Sequence, residues 1–212
     1  MSGRMSEGLE KVYAARATDE LAEAYSAWAD DYDRETLSLG YCLPFVITAF
    51  IARYVPRKDS LLLDAGCGTG LTGPYLAALG YSRLAGLDMA PDMLAIARNR
   101  GCYADLTVGV LGNPLPFADE QFTAVFSTGV FTEGHAPASS ISELARIVRA
   151  GGHLIFTVRD SILEKNGFGR EIETLVGSRD WTSVEESPLF RAFAIAEPDV
   201  LVKAFVFQRS MA

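Results

Sequence analysis

The chain has 212 residues, is 49% hydrophobic and carries a formal charge of −8, with a pI near 4.8. This is ample apolar content for one large domain, and the acidic balance argues against nucleic acid as the main substrate, because phosphate binding needs a basic face. No apolar run approaches the roughly 18 residues of a membrane span, and no charged–apolar leader precedes the first helix; a cytoplasmic protein acting on a small molecule, without a membrane partner, is expected.

Residues 1–16 carry no clear pattern and are expected to be disordered, leaving a single domain over 17–212. From Thr18, the residues Leu21, Tyr25, Trp28 and Tyr32 recur at helical spacing, with Asp19 and Glu20 in the first turn. Pro44 suits the start of a second apolar helix reaching Tyr54. These helices precede the first strand, so 17–56 reads as a cap on a core over 57–212.

From Ser60 the pattern alternates. Strands are expected at Leu61–Asp64, Arg83–Leu87, Tyr103–Val108, Phe122–Ser127 and His153–Val158, with helices at Leu71–Leu79, Pro91–Asn99 and Ala138–Arg149. Gly80, Gly101 and Gly151 follow three helices as left-handed C-caps would. Alternating strands and helices imply βαβ units and a parallel sheet covered on both faces. After a helix near Ser161–Val176, Leu189–Ala196 and Val200–Gln208 are separated only by Glu197-Pro198-Asp199. So short a link cannot make a parallel crossover, so an antiparallel hairpin is expected.

Cys42, Cys67 and Cys102 are widely spaced with no CxxC, which sets aside a disulfide framework and a zinc site. The run Asp30-Asp31-x-Asp33 lacks further clustered ligands and reads as a solvated helix end; no metal is expected.

The first strand runs into Asp64 and then Gly66-Cys67-Gly68-Thr69-Gly70. A dinucleotide fingerprint is G-x-G-x-x-G with an acid about 20 residues on; here the third glycine comes one residue early. Glycines at alternate positions permit a sharp turn and would set main-chain N–H groups against a ligand. The string Leu63-Asp64-Ala65-Gly66-Cys67-Gly68-Thr69-Gly70 resembles the first motif of the class I S-adenosylmethionine-dependent methyltransferases. Tyr25-x-x-Trp28-Ala-x-x-Tyr32-Asp33, Tyr41-x-x-Pro44, Thr132-x-Gly134 and Thr157-Val-Arg159 are similar to the methyltransferase-like subfamily of the Williams–Beuren region and its bacterial relatives. The resemblance implies a Rossmann-like, seven-stranded, mostly parallel sheet with a C-terminal antiparallel hairpin and N-terminal cap helices. It also implies S-adenosylmethionine as cofactor and S-adenosylhomocysteine as product.

On that resemblance, Asp64, Ala65, Gly66 and Gly68 cradle the amino-acid tail. Asp88, ending the second strand, accepts from the ribose hydroxyls, because a carboxylate offers two acceptor oxygens. Met89 either packs on the adenine face or only fills space. Many members place an acid after the third strand to meet the adenine amine; here Val110 and Leu111 stand in that loop, so apolar and main-chain contacts are expected instead. Phe122-Thr123-Ala124-Val125 replaces the usual Phe-Asp-Ala-Val. Carbonyls of Ser127 and Thr128 are placed to hold the methionine ammonium.

Methyl transfer from a sulfonium needs alignment more than a catalytic constellation, and a base only where the acceptor must lose a proton. His135, in the loop after the fourth strand, is the candidate base, or else a solvated loop histidine. His153 opens a buried strand and reads as structural. Arg159 either clamps an acidic substrate or pairs at the surface. Tyr32 closes over the cofactor and Tyr41 lines the acceptor pocket, or both pack the cap. The alternative to an enzyme is a catalytically silent protein binding the same cofactor for regulation.

Overall fold

A computed structural model describes residues 7–15 and 17–211. The strands are β1 (Leu62–Ala65), β2 (Leu84–Asp88), β3 (Asp105–Val108), β4 (Phe122–Phe131), β5 (Val148–Arg159), β6 (Trp181–Glu186), β7 (Phe190–Arg191) and β8 (Leu201–Arg209). They form one sheet in the order β3-β2-β1-β4-β5-β8-β6, with β7 also paired to β8. β1 to β5 run parallel, and β8 lies antiparallel between β5 and β6. The helices are α1 (Glu7–Ala14), α2 (Thr18–Ser38), α3 (Leu43–Tyr54), α4 (Gly73–Ala78), α5 (Pro91–Asn99), α6 (Ser140–Arg146), α7 (Asp160–Leu163) and α8 (Phe168–Gly177).

The short apolar runs become strands because both faces of the sheet are covered. Leu63, Val125, Phe156 and Phe207 share one core. On the opposite face Leu62, Ala124, Phe126 and Val206 meet Ile47 and Ile51 of α3. The Rossmann-like, mostly parallel sheet with antiparallel C-terminal strands is thus present, with β1 between β2 and β4. Chain direction diverges there, and the loops leaving β1 and β4 open a crevice at the carboxyl edge of the sheet.

Several boundaries differ from the sequence reading. The segment expected to be disordered contains α1; residues 1–6 and 16 lie outside the described residues. Val12 of α1 is buried with Leu21 and Trp28 of α2, a tertiary contact that a short unpatterned segment does not announce. The antiparallel tail is more than a hairpin. Its main edge is β6, a mostly exposed strand with little apolar alternation, and the expected Leu189–Ala196 strand contracts to β7. β6 and β7 lie end to end along β8, with Pro188, which has no N–H to give a ladder, between them. Seven sheet positions are therefore filled by eight strands.

The helix expected over Ala138–Arg149 stops at Arg146, because β5 already begins at Val148. Gly151 and Gly152 consequently sit inside β5, where its register against β4 shifts. The helix near Ser161–Val176 is divided into α7 and α8 around Gly167, which has φ +83°. α4 begins only at Gly73, after the glycine turn has closed.

Candidate active site

The turn after β1 spends its amides internally. Gly66 and Cys67 N–H donate to the Leu87 carbonyl at 2.7 and 2.9 Å, and Gly70 N–H donates to the Cys67 carbonyl at 2.8 Å. Gly68 N–H donates to Asp88 Oδ2 at 2.8 Å. The expected presentation of these N–H groups to a ligand is therefore corrected: four turn amides are consumed, and the short α4 starts later. A diphosphate would find little here; a close-fitting, uncharged or cationic group is suited. Gly66 shows why the turn needs glycine. Its φ is +79°, and a Cβ would lie 2.4 Å from Val130 Cγ2.

Two carboxylates frame the turn. Asp88 also accepts from Ala90 N–H at 2.9 Å, so β2, the turn and the start of α5 are tied through one side chain. Burial pushes its carboxyl up, while the Ala90, Gly68 and Met89 amides act in the opposite direction. Asp64, 1% exposed, accepts from the Tyr103 hydroxyl at 2.8 Å. Its carboxyl is pushed up to about 7, first by burial and then by the Asp88 charge, against the lowering effect of the Tyr103 bond. An approaching cation would favour its ionised form.

β4 does not end at Ser127 as expected but runs to Phe131 through a break in its register with β5. At the break Gly129 adopts φ +69°, and a Cβ there would lie 2.2 Å from the Tyr41 hydroxyl. Gly129 N–H is held by Thr157 Oγ1 at 2.9 Å. The Ser127 hydroxyl donates to the Ala65 carbonyl at 2.8 Å, so these two residues join β4 to β1 and are absent from the cavity walls. Thr128 is different: its Oγ1 is buried without a hydrogen-bond partner.

The cavity at the carboxyl edge of the sheet encloses about 810 Å³ of empty space, part of it open to solvent. Gly66, Gly68, Asp88, Met89, Val110, Leu111, Thr128 and Tyr32 line it, as do Tyr25, Met93 and Gly109. An adjoining recess reaches Asp64 and is bounded by Tyr32, Tyr41 and Thr128. Asp105 lies on the exposed strand β3 and caps its neighbour's amide at 3.0 Å. A sulfonium nucleoside fits this set. Asp88 would hold ribose hydroxyls, the apolar walls a base, and the unpartnered Thr128 hydroxyl and Asp64 an ammonium-bearing tail. Among the described residues no group of three or more His, Cys, Asp or Glu side chains could hold a metal ion, and the three cysteines are free.

A second cavity lies against the first; Tyr25, Tyr32, Gly129 and His135 line both. Tyr41 and Arg159 line the second one. His135 is not a solvated loop side chain. Its Nδ1 meets the Glu133 carbonyl at 2.8 Å, and a carbonyl only accepts, so Nδ1 carries the proton. Burial lowers the His135 pKa, and the neutral ring accepts at Nε2 from the Tyr25 hydroxyl at 2.9 Å. Arg159 pairs with Glu133 at 2.8 Å. His153 is buried in β5, its ring 5.9 Å from that of Tyr54.

Sequence reasoning missed Tyr25 as a cavity residue and the role of Asp33 in holding the glycine turn. Asp33 Oδ1 accepts from Thr69 Oγ1 at 2.6 Å, and Oδ2 pairs with Arg100. The acidic run is thus not merely a solvated helix end; its last member pins α2 onto the glycine turn. No local spacing signals a partner 67 positions away.

Residues 63–156 match a family described as Methyltransferase domain. Methyltransferase-like protein 27 of Homo sapiens is 34% identical over 163 residues, covering 74% of this chain and 66% of that protein. The tRNA U34 carboxymethyltransferase of Cellvibrio japonicus is 34% identical over 103 residues, covering 46% of this chain and 32% of that protein. The chain therefore spans just under two thirds of the first relative's length. Among solved structures, a TehB-like S-adenosylmethionine-dependent methyltransferase from Corynebacterium glutamicum superposes with a TM-score of 0.59 at 22% identity, over 89% of this chain and 100% of that one. The family match starts inside β1 and finishes inside β5, taking in every strand whose loops bound the first cavity: this chain belongs to the class I S-adenosylmethionine-dependent methyltransferases.

Proposed function

We propose that the protein transfers a methyl group from S-adenosylmethionine to a small-molecule acceptor, as a single cytoplasmic domain whose cap helices close the site. The observation that carries this reading is the pair of abutting cavities lined jointly by Tyr25, Tyr32, Gly129 and His135. One suits a nucleoside; the other suits an acceptor held beside it. When bound, the cofactor supplies an activated methyl group with a neutral thioether as leaving group. The chain's own part is alignment and exclusion of water. Asp88 and the turn hold one end of the ligand, Thr128 and Asp64 the other, and α2 roofs the junction.

The net charge of −8 supports a small acceptor over tRNA, although a relative named for tRNA modification keeps that acceptor in the test. Incubation with methyl-labelled S-adenosylmethionine is expected to label members of a panel of hydroxyl, amine, thiol and carboxylate compounds, and not bulk tRNA. Label in tRNA alone would contradict the proposal. Val110 and Leu111, standing where many relatives have an acid, favour the second reading of a silent cofactor-binding protein. Saturable cofactor binding without transfer to any acceptor would establish that reading instead.

A further inference from the structure

The polar groups at the junction of the two cavities form a short directed chain. The Tyr25 hydroxyl donates to His135 Nε2 at 2.9 Å, and His135 Nδ1–H donates to the Glu133 carbonyl at 2.8 Å. The two rings meet edge to face with centroids 5.7 Å apart, so α2 and the loop after β4 fix each other's orientation here. A hydroxyl that donates to a neutral imidazole is arranged to receive a proton from a third group on its cavity side.

The second cavity limits what that group belongs to. Its walls include Trp28, Phe131, Phe193 and Val202, with Tyr41 and Phe193 tilted at 5.3 Å. Among the described residues the cationic side chain on its walls is Arg159, which is matched by Glu133 at 2.8 Å, and Glu133 is further held by the Ser161 hydroxyl. An added anion would have to compete for Arg159, whereas a flat uncharged ring gains from aromatic walls.

Building on the methyltransferase reading above, we infer that the acceptor is an uncharged aromatic hydroxyl compound of the phenol class, with Tyr25 a catalytic residue and His135 the proton sink behind it. The acceptor oxygen forms a bond to the methyl carbon as the carbon–sulfur bond breaks, its electron pair remaining on sulfur. The acceptor's hydroxyl proton passes to Tyr25 Oη while the Tyr25 proton passes to His135 Nε2. The products are a methyl ether, a neutral thioether and an imidazolium that later releases its proton to solvent. The imidazolium keeps its Nδ1 bond to Glu133. Among the described residues, the charged and titratable groups facing it include the Glu133 carboxylate, which favours it, and Arg159, which opposes it, with Tyr25 and Tyr32 of α2 alongside.

Phenol, 2-naphthol, aniline, thiophenol and benzoate, offered with methyl-labelled S-adenosylmethionine, test this directly. The phenols should give methyl ethers. Tyr25→Phe should lower kcat about 100-fold or more while acceptor KM and S-adenosylhomocysteine affinity stay within about threefold, a split that a merely structural role would not produce. His135→Gln should remove the fall in kcat on the acid side. An independent readout uses the chain's two histidines: with S-adenosylhomocysteine bound, titrated phenol should move the ¹⁵N signals of His135 and leave those of His153. Wild-type kcat in Tyr25→Phe, transfer to none of the phenols, or an unmoved His135 overturns the inference. Absent S-adenosylhomocysteine binding overturns the underlying cofactor reading instead, so the two failures are distinct.

Discussion

Asp33 of α2 and Arg100, one residue beyond α5, are ion-paired across the rim of the glycine turn. Thr69 of the turn sits between them, its hydroxyl donating to Asp33 at 2.6 Å and its carbonyl accepting from Arg100 Nε at 2.5 Å. Cap, turn and core are joined at one point, so α2 can be loosened without touching a cavity wall. Arg100→Met is expected to cost about 1–3 kcal/mol, the scale of a charge-assisted hydrogen bond partly screened by solvent. Urea denaturation measures the loss, and hydrogen exchange should show it concentrated in α2. Unchanged protection of α2 would mean that apolar contacts alone hold the cap.

Thr128 isolates the cofactor side. Its buried, unpartnered hydroxyl costs desolvation in the ligand-free protein without a compensating bond, so Thr128→Val should raise the unfolding free energy by about 1–3 kcal/mol. The same change should weaken S-adenosylmethionine binding by roughly tenfold, as one lost hydrogen bond to a charged group predicts. Calorimetry on both proteins checks the two halves separately.

Asp64 carries a pH signature. Its folded-state pKa, raised to about 7, exceeds the roughly 3.9 of an unfolded aspartate. Between those values the folded state keeps a proton that the unfolded state has released. This group's contribution to stability is therefore complete below about pH 4 and lost as pH rises towards 7. The ligand-free Asp64→Asn protein should gain Tm relative to wild type across that window, yet bind the cationic cofactor more weakly at pH 8. Parallel Tm–pH curves for the two proteins would refute this assignment.

Gly129 and Tyr41 form a steric pair. A methyl group at Gly129, 2.2 Å from the Tyr41 hydroxyl on a backbone at φ +69°, should destabilise Gly129→Ala by about 2–4 kcal/mol. Adding Tyr41→Phe should recover part of that, because the hydroxyl clash is relieved and the backbone strain is not. A double-mutant cycle in urea reads the coupling; strict additivity would place the cost wholly in the backbone.

What was legible in the sequence was what rests on local pattern. Leu62 and Leu63 before Asp64, Pro91 at a helix start, and the period from Leu21 to Tyr32 each express a structural rule within a few residues, and the corresponding elements are present. Most cavity residues followed, because position at a strand's carboxyl end follows from strand order. Elements defined by tertiary pairing did not. β6 is an exposed edge whose partner β8 comes later in the chain, and α1 is ordered by burial of Val12 against α2. Ser127 and Ala65, which the resemblance sets at the cofactor, bond to each other through the Ser127 hydroxyl and the Ala65 carbonyl and do not line the two cavities. Asp33 and Tyr25 act through partners 67 and 110 positions distant, a relation that no window of sequence contains.

The central claim is that the glycine turn, Asp88 and Thr128 bound a site for S-adenosylmethionine and its product. Calorimetric titration of S-adenosylhomocysteine into the folded wild-type protein and into Asp88→Asn tests it most directly. We predict saturable one-to-one binding to wild type and at least a tenfold loss in the variant, since the amide cannot offer two acceptor oxygens while still receiving Gly68 and Ala90. Absence of binding to well-folded wild-type protein, or equal affinity in both, would contradict it.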